Sequence, residues 1–179
     1  MKLPIELCKD GAVLPTYANV TDAGMDVYAI EDTVIYPGEI KIIPTGIKMA
    51  IPVGYEVQVR DRSGLASSTR LRVANAPGTV DAGYRDEVGV IIENTSTDYF
   101  KVAKFLGVEL PPMDIITCPL DKKAPGFIKH YDGPYVIKKG DRIAQLVVNK
   151  IENVETVLVE SVAEIGESRG GGFGSTGVS

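Results

Sequence analysis

Short runs of apolar and polar residues, broken by turns, make up the first 95 residues of the chain. Residues 55–60 read Tyr-Glu-Val-Gln-Val-Arg, and this period of two is typical of a half-buried strand. Residues 34–36 lead into Pro37 and Gly38, a pair suited to a type II turn, and residues 40–43 resume a strand. Further β-rich runs lie at 88–92, 143–148 and 154–159. Since no long stretch shows clean helical periodicity, the sequence predicts an all-β fold, namely a sandwich, jelly roll or barrel.

Residues 96–139 differ in composition from the sequence on either side. They hold six of the twelve aromatic residues, five prolines, and seven lysines against five acidic residues. A solvated loop does not need so many aromatic side chains, so we expect an ordered insertion or small subdomain there. The glycine-rich ending, 169–179, is expected to form a flexible arm. Residues 1–95 and 140–168 would then form the β core.

Composition narrows the classes of function. Of the 179 residues, 44% are apolar and 24% are charged, as in a globular domain, and the net charge is −5. An acidic balance argues against direct nucleic-acid binding, although a few arginines could still hold a small anionic substrate. No apolar run reaches the roughly 18 residues of a membrane helix, so no membrane partner is expected.

The cysteines and the single histidine exclude several kinds of site. Cys8 and Cys118 have no paired-cysteine motif near them, which favours reduced thiols over a disulfide and predicts a cytoplasmic protein. His130 has no cluster of further ligands around it, so the sequence does not favour a zinc site or a serine–histidine–aspartate triad.

Two segments carry candidate chemistry. Residues 62–68 predict a short helix with Ser63 near its cap, where free N–H groups and the Arg62 guanidinium would attract an anion. On its own the segment is better explained as an ordinary strand-to-helix turn. Residues 75–85 form a turn-rich loop that could expose Asp81 and Tyr84 in a cleft, although a lone Asp81 is more often a solvated turn carboxylate.

The C-terminal arm is a third candidate. Phe173 could stack on a planar ligand, while Arg169, Ser175 and glycine N–H groups reach phosphates. A disordered tail is the alternative that the glycine content alone would favour.

Five segments, taken in order, resemble the five motifs of the trimeric dUTPase family, and together they span nearly the whole chain. One such motif would be weak evidence, but five in order are not explained by chance. They are Ala-Gly-Met-Asp-Val at 23–27, Arg-Ser-Gly-Leu-Ala at 62–66, the stretch 75–89, Gly-Asp-Arg-Ile-Ala-Gln-Leu at 140–146, and Gly-Phe-Gly-Ser-Thr-Gly at 172–177.

The resemblance implies a jelly-roll subunit in a homotrimer whose sites take residues from all three chains. It implies hydrolysis of dUTP to dUMP and pyrophosphate by attack of water at the α-phosphorus, which controls dUTP levels and supplies dUMP. Asp81 would orient and deprotonate the water. Tyr84 would pack under the deoxyribose and leave no room for a 2′-hydroxyl. The substrate-binding residues implied are Arg62, Ser63, Gly64, Asn75, Gly78, Thr79, Val80, Tyr84, Gly89, Gln145, Arg169, Phe173, Gly174 and Ser175.

The resemblance also assigns each part of the substrate to particular residues of that set. Asn75 and the backbone of 79–89 would read the uracil edge. Ser63, Gly64 and Gln145 would hold the α- and β-phosphates, with Arg62 nearby. Phe173 would cap the base, with Arg169 and Ser175 at the β/γ end.

Magnesium is the cofactor that the resemblance implies. Mg²⁺ keeps several of its waters and commonly binds through substrate phosphates, so no dense carboxylate cluster is expected. No direct protein ligand is therefore predicted. Asp26 would order the site, with a contact to the ion only through water.

Three features depart from the family pattern. Arg169 and Phe173 are one residue closer than usual, and Asp86 stands where the family commonly has glycine. The link between the third and fourth motifs, 95–139, replaces a short hairpin and resembles insertions in some bacteriophage members. This link could dock a regulatory protein, which makes a nucleotide-switched interaction protein the alternative function. A dCTP deaminase, which shares the fold, is less favoured because it would lack the Phe-Gly-Ser-Thr-Gly arm.

Overall fold

The computed structural model describes residues 1–107, 118–120 and 133–168, and most of its regular structure is short strand. The strands are β1 (Ile5–Leu7), β2 (Met25–Tyr28), β3 (Thr33–Ile35), β4 (Ile40–Pro44), β5 (Ile47–Met49), β6 (Tyr55–Arg60), β7 (Leu71–Val73), β8 (Gly78–Val80), β9 (Gly89–Asn94), β10 (Cys118–Pro119), β11 (Tyr135–Ile137) and β12 (Arg142–Lys150). Two short helices, α1 (Ser63–Ser68) and α2 (Tyr99–Leu106), complete the described elements. The all-β prediction is confirmed.

The strands form four small sheets. The largest has the order β2-β12-β6-β8, and a second has the order β4-β9-β7. The pair β1-β5 and the triplet β10-β11-β3 lie beside them. All the pairings are antiparallel except β10 with β11, which is parallel. Many of the neighbours are distant in sequence; for example, β2 near the start of the chain pairs with β12, which begins at residue 142.

The alternation of apolar and polar residues in the strands determines which side chains form the core. In β6, Val57 and Val59 are buried while Glu56 and Gln58 lie on the other face. Val59 stands opposite Leu146 of β12, so their side chains lie next to each other on the same buried face of the sheet. Burying such aliphatic side chains stabilises the fold by about 1.5–3 kcal/mol each.

Core structure begins before residue 140, within the stretch 96–139 that we expected to be an insertion or small subdomain. Residues 135–137 form β11, which pairs with β3, and Tyr135 is 1% exposed. The Asn94 side-chain amide bonds the carbonyl groups of Ile35 and Gly133, which fastens β11 to the core. The described part of 96–139 therefore contains a core strand as well as α2.

One prediction about local structure is wrong, and one helix was not predicted. Residues 154–159 were expected to be a β-rich run, but they are exposed and form no strand within the described chain. Helix α2 was not foreseen, although Asp98 caps it through the Lys101 N–H and Gly107 ends it in a left-handed conformation. No helix among the described residues is long and apolar enough to cross a membrane.

Candidate active site

A cavity of about 210 Å³ lies between β6, β8 and the loop that follows β8. The third family-like segment, 75–89, supplies nearly all of its lining. Seven residues predicted from the sequence are brought together there: Asn75, Gly78, Thr79, Val80, Asp81, Tyr84 and Gly89. Val59 and Val88, which were not predicted, complete the lining with apolar surface. We refer to this space as the hairpin cavity.

Close packing at Gly78 shapes the hairpin cavity. A Cβ atom built on Gly78 would lie 2.7 Å from the Asn75 side-chain nitrogen. A side chain at this position would push the Asn75 amide away, so glycine allows that amide to lie against the β8 backbone. β8 ends the order of its sheet, and among the described residues it pairs only with β6. Its outer edge therefore offers backbone donors and acceptors beside the cavity.

The loop after β8 places Asp81 and Tyr84 on opposite sides of a turn. The Tyr84 N–H donates to the Asp81 carbonyl at 3.0 Å, and the Tyr84 hydroxyl donates to the Glu87 carbonyl at 2.9 Å. Arg85 folds back onto the same loop, where it bonds the carbonyl groups of Ala82 and Tyr84. Asp81 is exposed at the cavity, so its carboxylate is accessible to a ligand and to water.

A second group of polar side chains surrounds Asp26, which is only 4% exposed. Its carboxylate accepts from Arg62 Nε at 2.8 Å, from Arg142 Nη1 at 3.2 Å and from Gln145 Nε2 at 3.5 Å. The pairing of β12 with β2 places Gln145 directly opposite Asp26. Two guanidinium groups face one carboxylate, so this cluster keeps an excess positive charge. We refer to these four residues as the Asp26 cluster.

Next to the Asp26 cluster lies a cavity of about 180 Å³, lined by Arg62, Gly64, Leu65, Ser68, Leu120, Asp141 and Arg142. The predicted short helix is confirmed as α1, but Arg62 is its N-cap and Ser63 is its first residue, with no side-chain capping bond. Ser63 and Gly64 are exposed at this end of the helix. Arg142 was missed as a site residue; the pairing of β12 with β2 reveals it.

Among the described residues, the two halves of the predicted site line separate cavities. The hairpin cavity and the cavity beside the Asp26 cluster share no lining residue. The remaining predicted site residues, Arg169, Phe173, Gly174 and Ser175, lie outside the described residues.

No group of three acidic, histidine or cysteine side chains close enough to hold a metal occurs among the described residues. Both Asp26 carboxylate oxygens already accept from guanidinium groups. A direct bond from Asp26 to a metal ion would therefore displace one of these contacts.

The Asp26 cluster should also contribute to stability. We expect Asp26→Asn to lower the free energy of unfolding by about 1–3 kcal/mol, because it removes a buried charge that two guanidinium groups contact. Urea denaturation at fixed protein concentration measures this loss. Asp32→Asn is the control, since its ion pair with Lys138 is exposed and the change should have a much smaller effect. Equal losses would show that the cluster is not a special stabilising contact.

Comparison with known proteins gives consistent matches. A family model for dUTPase matches residues 10–105 and 114–177. A deoxyuridine 5′-triphosphate nucleotidohydrolase of Gloeothece citriformis is 37% identical over 179 residues, covering 99% of this chain and 98% of the relative. The family match breaks near the end of α2, which indicates extra residues at that point.

Solved structures of phage enzymes are also similar. A variant of the Staphylococcus bacteriophage 80alpha dUTPase with dUpNHpp has a TM-score of 0.80 and 34% identity, and the match covers 99% of both chains. A dUTPase of phage phi11 of S. aureus, described with a structural Mg(II) ion, has a TM-score of 0.74 and 28% identity over 90% of this chain and 98% of that one. Phage dUTPases including the 80alpha enzyme are described as controlling transfer of virulence genes by a G protein-like mechanism.

Proposed function

This chain belongs to the dUTPase family and hydrolyses dUTP to dUMP and pyrophosphate, and we propose that it does so where the hairpin cavity of one copy meets the Asp26 cluster of another. The observation that carries this proposal is the separation of the two cavities on one chain. The residues assigned to base and sugar lie in one, and most residues assigned to the phosphates lie at the other. Two copies would supply both halves to one nucleotide.

Asp81 is the proposed general base. It lies beside the sugar and base residues of the hairpin cavity, and it is exposed on the single chain. From there its carboxylate would orient a water molecule and take its proton as the water attacks the α-phosphorus. A positioned carboxylate in this role typically contributes about 10²–10⁴-fold to the rate.

The edge of β8 would read the uracil. A pyrimidine ring in the hairpin cavity could bond the free backbone edge of β8 and the Asn75 amide. Cytosine would present a donor where uracil presents an acceptor, and the unpaired groups would cost binding free energy. Tyr84 would pack under the deoxyribose and exclude a 2′-hydroxyl.

The phosphates would lie against the Asp26 cluster. Arg62, Arg142 and Gln145 provide donors there, and the excess positive charge favours a polyanion. Asp26 would hold both guanidinium groups in place. Ser63 and Gly64 at the start of α1 would add contacts to the α- and β-phosphates. Arg169, Phe173, Gly174 and Ser175 would close the site from the C-terminal arm.

The dUTPase family uses Mg²⁺, and we propose that this chain binds it mainly through the triphosphate. This arrangement is supported by the chemistry of Mg²⁺, which retains several waters and commonly binds through substrate phosphates. The ion would neutralise phosphate charge when bound. The protein's own part is to hold the phosphates with Arg62 and Gln145 and to place Asp81 beside the attacking water. Asp26 would reach the ion only through water.

The segment 151–168 supports an oligomer, which the family resemblance implies is a homotrimer. Large apolar side chains along it are exposed; for example, Leu158 is 99% exposed and Val154 is 80% exposed. The backbone of 152–164 takes no described strand partner. An exposed apolar run of this kind marks a contact surface, and a second copy of the chain would cover it.

A cytoplasmic location is proposed for the enzyme. Cys8 is a free, half-buried thiol. Reduced cysteines of this kind persist in the cytoplasm, where glutathione and thioredoxin keep thiols reduced.

Substrate selection tests the proposed function. We expect dUTP to be cleaved at least about 10²-fold faster than UTP, dTTP or dCTP, measured as kcat/KM from pyrophosphate release. Each competitor should be rejected for a separate reason. The 2′-hydroxyl of UTP would clash with Tyr84, and the methyl group of dTTP would clash with the β8 edge. The base of dCTP would form a mismatched hydrogen bond. Comparable turnover of dCTP, or release of ammonia from it, would contradict this assignment.

Helix α2 favours a second, compatible function, the docking of a regulatory protein. Ala103 is buried, whereas Tyr99, Val102, Phe105 and Leu106 are exposed, and Phe105 is 89% exposed. Aromatic and aliphatic side chains on one exposed face are typical of protein contact surfaces. The nucleotide bound at the active site would switch this contact.

Substitutions on α2 should separate the two functions. We expect Val102→Ser and Phe105→Ser to leave kcat/KM for dUTP within about twofold, because exposed side chains contribute little to folding. The described residues of α2 do not line either cavity. A tenfold or larger loss of hydrolysis in a folded variant would place α2 within the catalytic machinery instead.

A further inference from the structure

Glu87 ties the end of the hairpin to the corner between β4 and β5. Its Oε1 accepts from the Gly46 N–H at 2.8 Å, and its Oε2 lies 2.5 Å from Lys9 Nζ. The next residue adds two backbone contacts, because the Val88 N–H donates to Ile47 at 2.9 Å and the Thr45 hydroxyl donates to the Val88 carbonyl. Residues 87–88 are thus bound to 45–47 along their length.

The corner that receives Glu87 is itself rigid. Gly46 has a φ of +68°, and a Cβ atom on it would lie 2.6 Å from the Ala12 Cβ. Only glycine fits there, since the backbone is left-handed and the space is filled. The Gly46 carbonyl also accepts from the Cys8 N–H at 2.8 Å. The N–H that Glu87 accepts therefore comes from a fixed point.

The Glu87 carboxylate is charged under ordinary conditions. Partial burial opposes ionisation, but hydrogen bonds from Lys9 and Gly46 outweigh it and lower the pKa of Glu87 below its usual value. A charged acceptor makes the stronger bond to a backbone N–H.

Glu87 is linked to Tyr84 through its own carbonyl. The Tyr84 hydroxyl donates to that carbonyl at 2.9 Å. Tyr84 is 41% exposed, and its neighbours Asp81, Gly83 and Asp86 are exposed as well. Packing within one chain thus leaves much of the ring uncovered, and the hydroxyl bond sets its direction over the hairpin cavity.

We propose that Glu87 is a positioning residue for sugar selection, acting by fixing the carbonyl that holds the Tyr84 hydroxyl. This inference rests on the proposed role of Tyr84 at the deoxyribose. When the Glu87 side chain is lost, the carbonyl and the ring gain freedom, and a 2′-hydroxyl can be accommodated. The chemical step at Asp81 does not pass through Glu87.

The test compares kcat/KM for dUTP with that for UTP in purified, full-length protein. Glu87→Ala should lower this ratio about tenfold while kcat for dUTP stays within about threefold. Glu87→Gln should restore most of the ratio, since the amide oxygen still accepts from Gly46. The loss of its ion pair with the half-exposed Lys9 should cost little.

Glu39→Ala is the matched control. Glu39 also accepts from a backbone N–H, that of Tyr36, and also pairs with a lysine, Lys41, but it lies away from the hairpin cavity. The Glu39→Ala variant should leave the ratio of kcat/KM for dUTP to that for UTP unchanged. An equal fall in both variants would overturn the inference, because the effect would then be general loosening of the fold. An unchanged ratio in Glu87→Ala would also overturn it.

Tyr84 variants separate failure of the inference from failure of the proposed function. Tyr84→Phe, which lacks only the hydroxyl, should lower the ratio as Glu87→Ala does, and the double variant should show no further loss. Additive losses would overturn the inference. If Tyr84→Ala left sugar selection intact, the proposed role of Tyr84 itself would be wrong, whatever Glu87→Ala shows.

Discussion

Changing Asp81→Asn should lower kcat for dUTP by about 10²-fold or more while dUTP still binds. The substitution keeps the size of the side chain and removes the proton acceptor for the attacking water. Steady-state pyrophosphate release gives kcat, and calorimetric titration of the variant with dUTP gives the binding constant. A variant that stays active would show that another group activates the water.

Asp86→Asn is the matched control for that substitution. Asp86 is exposed in the same loop, five positions along the chain, but it does not line the hairpin cavity. Its kcat should stay within about threefold of the unchanged protein, because only local charge is altered. If both variants lost activity equally, the general negative charge of the loop would matter rather than a base at Asp81.

Removing residues 169–179 should leave a folded oligomer with kcat/KM reduced about 10²-fold. The deleted residues include Arg169, Phe173 and Ser175, which we assign to closing the site over the nucleotide, and misplaced substrate commonly costs about this much. Oligomeric state is measured by light scattering and folding by circular dichroism.

A shorter deletion controls for the loss of chain length. Removing only residues 178–179 keeps the whole fifth motif and should leave kcat/KM within about twofold. Full activity in the longer deletion would show that the arm takes no part in the reaction. Dissociation of the oligomer would assign the arm to assembly instead.

The sequence predicted those parts of the fold in which local pattern and burial agree. The alternation in 55–60 predicted β6 with the observed bounds, since one of its faces is buried in the core while its edge pairs with β12. Residues 154–159 have the same β-rich character, but no strand lies beside them in the described chain. A strand requires a partner, which local pattern does not reveal. Helix α2 was missed because eight residues are too few to show a helical period.

For a similar reason, the sequence predicted the hairpin cavity better than the Asp26 cluster. The hairpin cavity comes from one continuous segment, so its residues could be recognised together in the sequence. The Asp26 cluster joins three segments, and its contacts depend on the pairing of β2 with β12. Only the fold shows that Arg142 and Arg62 share one carboxylate. The family prediction is confirmed, whereas the residue roles stay predictions.

Mixing two inactive variants tests most directly whether the site is shared between copies. One variant carries Asp81→Asn in the hairpin cavity, and the other carries Gln145→Ala and Arg62→Ala in the Asp26 cluster. After the two are unfolded together in equal amounts and refolded, about a quarter of the sites should combine an unchanged hairpin cavity with an unchanged Asp26 cluster. The account predicts that dUTP hydrolysis returns to about that fraction of the unchanged protein. If the mixture stays as inactive as each variant alone while mixed oligomers form, each site lies within one chain and the account is contradicted.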